Sequence, residues 1–228
     1  MQFVVILIGE NMALPSAWTF SGLEKFETCP RQFYHVRVKR DIKEPPTEAT
    51  KWGERVHQAL ELRVTQGFKL PEGMEQWEGL AAKLAEVPGK KLAEYKLAVN
   101  DSFEACEWTE AWSRGIADLI IVAGKKAINL DYKTGKRKPT EQLALYAGYT
   151  FAHFPEVEEV ETGFVWLKDK KIDKEKFTRE DIPKIWQEFL PRVIKLESAY
   201  ERDSWPCKPS GLCKGWCPVK TCDYYKDK

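Results

Sequence analysis

Two apolar segments, residues 115–122 and 127–132, are separated only by Ala123-Gly124-Lys125-Lys126, with the turn at Ala123-Gly124-Lys125. A linker that short accommodates little but a tight turn, so the segments are expected to be neighbouring strands. Each carries a carboxylate, Asp118 in the first and Asp131 in the second, and Lys133 follows Asp131 by two positions. Side chains alternate along a strand, so Asp131 and Lys133 share one face and Tyr132 takes the other. Asp118 on the neighbouring strand can approach that shared face. Two converging carboxylates make a hard oxygen site suited to Mg²⁺ or Mn²⁺. A lysine beside them can orient or deprotonate a water and steady charge on a phosphoryl group. Asp-x-Lys alone arises often by chance on an exposed hairpin, so the reading leans on other residues.

Gln142 and Tyr146 lie one helical turn apart in the segment that follows, amid Leu and Ala. Such a pair shares a helix face and can touch phosphates or catalytic groups. Taken singly, a half-buried amide and an amphipathic tyrosine explain them as well. His57, with Gly53 and Glu61 one turn to either side, is a structural histidine or, near a carboxylate site, a further metal ligand.

The rest of the chain divides by periodicity. Residues 16–40 read as short helices, with Ser21 and Glu24 as a capping box and Pro30 restarting the helix. Lys43-Glu44-Pro45-Pro46 is a break. Residues 50–66 place Trp52, Val56, Ala59, Leu60 and Val64 at helical spacing, and a further helix is expected over 72–87. Residues 92–99 add a strand, 140–153 a helix, 157–167 and 171–177 a late hairpin, and 182–200 a long amphipathic helix. The expected fold is α/β: a mixed central sheet flanked by helices, with N-terminal helices and a Cys-rich C-terminal tail. One domain over 1–228 is expected, with a helical part at 16–70, a sheet core at 90–178 and a tail at 204–228 packing on the N-terminal helices.

The apolar run 3–8 is too short to span a membrane and lacks the flanks of an export signal. It reads as a first strand, or as an extension upstream of a true initiator at Met12. The chain is expected to be intracellular and cytoplasmic, so its six cysteines are thiols or metal ligands sooner than disulfides.

Five pieces in order carry a family resemblance: Ser21-x-Leu23-x-x-Phe26-x-x-Cys29-Pro30-x-x-Phe33-Tyr34, Gly53-x-x-x-His57, Gly115-x-x-Asp118, Asp131-Tyr132-Lys133-Thr134-Gly135 and Gln142-x-x-x-Tyr146. From about residue 16 onward the chain resembles the RecB-like branch of the PD-(D/E)XK nucleases, which includes phage-type and CRISPR-associated exonucleases. One departure is visible: the superfamily's Pro-Asp is Ala117-Asp118 here. The resemblance implies a restriction-endonuclease-like core and phosphodiester hydrolysis leaving a 5′-phosphate. Asp118, Asp131, His57 and the Tyr132 carbonyl would be metal ligands, and Lys133 would position the water. Gln142 and Tyr146 would support the site or touch the DNA backbone. Glu94 is a weaker candidate, read as structural. The implied activity is an exonuclease on single strands or ends in recombination, repair or phage replication. A structure-specific endonuclease is the alternative, and a non-catalytic DNA-binding scaffold the rival from another class.

The tail holds Cys207, Cys213, Cys217 and Cys222, and Cys29 lies far away. By the same resemblance, Cys29, Cys213, Cys217 and Cys222 would hold a [4Fe–4S] cluster. Zinc on the four tail cysteines is a second reading, with irregular spacing against it. Buried thiols without metal are a third. Cys106 is expected in a strand without a ligand role, and Cys207 outside the cluster.

With a net charge of +1, any DNA surface must be a local patch. Basic residues occur between the motifs, Arg31, Arg37, Lys39 and Arg40 first and then Lys136, Arg137 and Lys138 after the active-site strand; Lys136, Arg137, Lys138 and Arg31 are the expected DNA contacts. Trp18, Phe33 and Trp52 are candidates to stack bases, although the core claims most aromatics. No base-reading helix or zinc finger is present in the pattern, so sequence-specific recognition is not expected.

Overall fold

The computed structural model of the chain describes residues 14–137 and 141–227. The strand-like run 3–8, Met12, Lys138 and the expected helix start at Thr140 lie outside the described residues.

The chain opens with α1 (Phe20–Thr28) and α2 (Pro30–Phe33), the latter continuing into a π-helical turn at Tyr34–Val38. Pro30 stands at the first position of α2, where its missing N–H costs nothing. The cap of α1 is Thr19, not Ser21: the Thr19 hydroxyl accepts from the Gly22 N–H at 3.1 Å. The helix therefore begins before the expected capping box, because Phe20 is drawn into the core.

Next come α3 (Glu48–Gln66) and α4 (Glu78–Glu86). Gly67 ends α3 at φ 77°, a left-handed position that glycine occupies without strain. The helix expected over 72–87 is shorter than its pattern. Gly73, at φ 84°, turns the chain there, and only a 3₁₀ turn at Glu75–Trp77 precedes α4.

The sheet follows: β1 (Lys90–Val99), β2 (Ser113–Ala123), β3 (Lys126–Lys133), then α5 (Gln142–His153), β4 (Glu159–Trp166), β5 (Lys171–Thr178) and α6 (Ile182–Glu201). Its order is β1-β2-β3-β4-β5, antiparallel except for the parallel β3–β4 pair. A parallel pair needs a crossover, and α5 supplies it. The expected mixed sheet with helices is what the chain adopts. Cys106 lies beyond β1 rather than in a strand, its N–H donating to the Ala98 carbonyl.

Helices cover both faces. Val56, Leu60, Trp77 and Leu84 from α3, α4 and the turn before α4 pack on Leu119, Ile121, Leu130 and Tyr132. On the other face α1, α5 and α6 pack around Leu97, Ala117 and Ile120. Trp18 and Phe33 belong to this second core at 3% and 6% exposure, so neither is available to a base. Trp52 packs near Trp77 instead of standing free. Among the described residues no helix is long and apolar enough to cross a membrane.

Candidate active site

The site forms where regular strand geometry fails. On β2, Ala117 packs with α5 and α6 while Leu119 packs beneath α3. Residues two apart on a regular strand share a face, so the alternation slips at Asp118. On β1 the same slip separates Leu92 from Tyr95, both on the α5 side. The ladder passes from Ala93↔Leu119 to Tyr95↔Ala117, leaving Glu94 and Asp118 facing each other between those pairs. Glu94 stands at φ 47°, an uncommon conformation for a residue with a long side chain.

The neighbouring pair comes apart at the same level. The β2–β3 ladder runs from Ala123↔Lys126 to Leu119↔Leu130 and stops one residue short of Asp118 and Asp131. In the fork, Asp118 Oδ2 accepts the Tyr132 N–H at 2.6 Å. The Asp118 carboxylate thus takes the place of a ladder carbonyl. Its second oxygen lies 3.2 Å from His57 Nδ1. Ligand atoms of His57, Glu94 and Asp118 fall within 4.8 Å of one another. Burial pushes the His57 imidazolium down, but Asp118, Asp131 and Glu94 together hold its pKa above the ordinary value. Burial and then Asp118 raise the Glu94 carboxyl.

Asp131 and Lys133 project together toward α5, as strand alternation requires. Lys133 Nζ lies 2.7 Å from Asp131 Oδ2. The Gln142 amide ties the two: its nitrogen donates to Asp131 Oδ1 at 2.9 Å, and its oxygen accepts from Lys133 Nζ at 3.2 Å. Burial and the nearby Asp118 push the Asp131 carboxyl up to about 6, against the pull of Lys133. Tyr146, one turn further along α5, donates from its hydroxyl to the Ile116 carbonyl at 3.1 Å and so braces β2 beside Asp118. Burial raises the Tyr146 and Tyr132 hydroxyls strongly, so neither supplies a proton readily. The Tyr132 ring is buried beneath α3, and among the described residues its hydroxyl has no hydrogen-bond partner.

The structure therefore brings His57, Asp118, Asp131, Lys133, Gln142 and Tyr146 to one place, with the backbone of Tyr132 between the carboxylates. Glu94, read from sequence as structural, stands with His57 and Asp118 instead. No local pattern announces it, because its position depends on cross-strand register. A nitrogen and several carboxylate oxygens form a donor set that fits Mn²⁺ or Mg²⁺. A buried carboxylate of raised pKa is also strained while charged, which a cation relieves.

Of the expected DNA contacts, Lys136 lines a cleft of about 610 Å³ that also exposes Lys133, Gln142 and Tyr146. Arg137 is instead engaged by Asp173, its Nε 2.6 Å from Oδ2. Arg31 lies at the cysteine pocket.

That pocket gathers Cys29, Cys207, Cys213, Cys217 and Cys222 between α2 and the tail. The Arg31 N–H donates to the Pro206 carbonyl, and Trp205 packs against Phe26, Phe33 and Tyr34. Cys207, left out by sequence reasoning, has its sulfur 3.6 Å from that of Cys222. Among the described residues, no three of these sulfurs lie within 4.8 Å of one another.

A family model described as the PD-(D/E)XK nuclease superfamily matches residues 17–222. No curated protein matches the chain. Among solved structures, a protein described as a candidate exonuclease from Eubacterium rectale is 13% identical, with a TM-score of 0.50 over 98% of this chain and 92% of that one. The protein SSO0001 is 15% identical, with a TM-score of 0.48 over 94% and 89%.

Proposed function

Because the chain belongs to the PD-(D/E)XK nuclease superfamily, we propose that it is a metal-dependent DNA nuclease of the RecB-like branch, acting as an exonuclease on single strands or ends. The observation that carries this reading is the Lys133 ammonium, held 2.7 Å from Asp131 and fixed by Gln142 beside the His57–Glu94–Asp118 group. His57, Glu94, Asp118 and Asp131, with the Tyr132 carbonyl, would hold Mg²⁺ or Mn²⁺. When bound, the ion supplies Lewis-acid neutralisation of charge developing on the scissile phosphate.

The chain's own residues do the rest. Lys133 orients the attacking water and offers its ammonium to the phosphoryl oxygens as they gain charge. Gln142 keeps that ammonium and Asp131 in fixed relation, so little reorganisation is needed during reaction. The Tyr146 hydroxyl fixes β2 at Ile116 and the Tyr132 N–H holds the Asp118 carboxylate in the fork, which keeps it aimed at the site. The exonuclease preference is supported by the description of the Eubacterium rectale neighbour, which shares the fold. Recombination, repair or phage replication is the setting such an activity serves.

For the cysteines, a [4Fe–4S] cluster on Cys29, Cys213, Cys217 and Cys222 is the reading favoured. What supports it is the pocket itself, which brings Cys29 from the first helices to the tail thiols, as a cluster shared by the two ends of the chain requires. The Cys207 and Cys222 sulfurs, 3.6 Å apart, are what the zinc reading has in its favour.

The test is cleavage of linear and circular single-stranded DNA with Mg²⁺ or Mn²⁺, with Lys133→Ala alongside. Loss of the linear substrate alone, absent in the variant, supports the proposal. Cutting of the circle means an endonuclease. No metal-dependent cutting of either means a binding scaffold of the same fold.

A further inference from the structure

The cleft at Lys133 does not end at the active site. Its far wall is Arg114, and Arg114 together with Thr19 also lines a second cleft, of about 710 Å³. That second cleft carries Arg37, Arg40 and Lys43. From Lys136 and Lys133, past Arg114, to Arg37, Arg40 and Lys43, the path is lined by cations. The acids lining it are Glu24 in the first cleft and Glu44 in the second, and Glu44 is already paired with Lys25. In a chain of net charge +1, that concentration is local, as a backbone-binding surface requires.

The join between the clefts is built. Arg114 lies 4.6 Å above the Trp108 ring, and its Nη1 donates to the Trp108 carbonyl at 3.0 Å. Lys96 Nζ lies 5.5 Å from the same ring. Lys96 and Ile116 are cross-strand partners on β1 and β2, and Ile116 is 40% exposed. An indole fixed by a cation, beside an open apolar side chain and a phosphate-competent guanidinium, matches what an unpaired nucleotide presents: a flat base and an anion.

Resting on the nuclease reading above, we propose that the two clefts form one track for a single strand of DNA. Arg114 and Trp108 engage the nucleotide beside the scissile bond, and Arg37, Arg40 and Lys43 hold phosphates several nucleotides away. The concave, aromatic-walled join favours a strand with unstacked bases over a duplex.

The test is binding, read in EDTA by fluorescence anisotropy of labelled oligothymidylates of increasing length. This separates the track from hydrolysis. Arg37, Arg40 and Lys43 are exposed, so the triple variant Arg37→Gln/Arg40→Gln/Lys43→Gln is expected to fold. Wild-type affinity should climb with length and then level off. The triple variant should keep the affinity for the shortest oligomers, lose the climb, and show a salt slope shallower by about 2. Trp108→Ala should weaken thymidylate more than an abasic strand of equal length. An unchanged length dependence and salt slope in the triple variant would overturn the track, as would a wild type that fails to bind or binds duplex equally well. A wild type that binds in this way but cleaves nothing would sink the hydrolytic reading and leave the track standing.

Discussion

A Cβ on Gly115 would sit 2.7 Å from the Tyr146 hydroxyl and 3.0 Å from its ring carbon Cζ. The glycine of the Gly115-x-x-Asp118 pattern is therefore there for space. Tyr146 must pass over it to reach the Ile116 carbonyl.

Gly115→Ala should destabilise the protein by roughly 1–3 kcal/mol through overpacking. Adding Tyr146→Phe removes the closest atom, so the double variant should recover part of the loss. Urea midpoints of the two single variants and the double form a cycle that checks this. Strictly additive losses would show that the two positions do not press on each other.

Asp131 gives a pH dependence with a definite sign. Its pKa is raised to about 6 by burial and by Asp118, so the folded chain holds this proton more tightly than the unfolded chain. Stability therefore falls as pH rises from the ordinary carboxylate range through about 6. Metal-free Asp131→Asn should exceed wild type by roughly 1–3 kcal/mol at pH 8, and the gap should close toward pH 4. A variant no more stable than wild type at pH 8 would mean that the charged carboxylate is well accommodated.

Glu94 tests the boundary of the metal set. Glu94→Gln removes a ligand charge and also a repulsion with Asp118, so metal-free stability should change little. Mn²⁺ affinity, measured by calorimetric titration, should fall on the order of 10- to 100-fold. Unchanged affinity would confine Glu94 to a structural part.

The cysteines make a ranked prediction. Anaerobically purified wild type should be brown, Cys213→Ser should be colourless with a loosened tail, and Cys207→Ser should keep its colour. Absorption spectra and limited proteolysis of the tail give the readouts. Retained colour in Cys213→Ser, with loss in Cys207→Ser, would exchange the two ligands; a colourless wild type would remove the cluster.

Much of this was legible because helices and strands announce themselves by local period. The segments around Asp118, Asp131 and Lys133, and the α5 pair Gln142 and Tyr146, lie close in sequence and stay close in space. What was hidden depends on pairing between distant segments. Glu94 joins His57 and Asp118 only because the alternation slips on β1 and β2 together. Asp118 comes close enough to raise the Asp131 carboxyl, and it does so from the fork between β2 and β3, which no local period announces. Trp108 and Arg114 gave no motif, since their meeting is made by the loop between β1 and β2. The cap moved from Ser21 to Thr19 because the burial of Phe20 outweighs a second hydroxyl two residues on.

The cysteine pocket also orders events in time. The Lys208 N–H reaches the Cys29 sulfur across 179 positions of sequence, a separation that makes loop closure costly before the intervening chain has condensed. During synthesis the sheet is complete before the tail thiols emerge. Closure of this clasp is thus a late checkpoint, and a chain stalled before residue 207 would carry its nuclease fork without the fastening that joins tail to first helices.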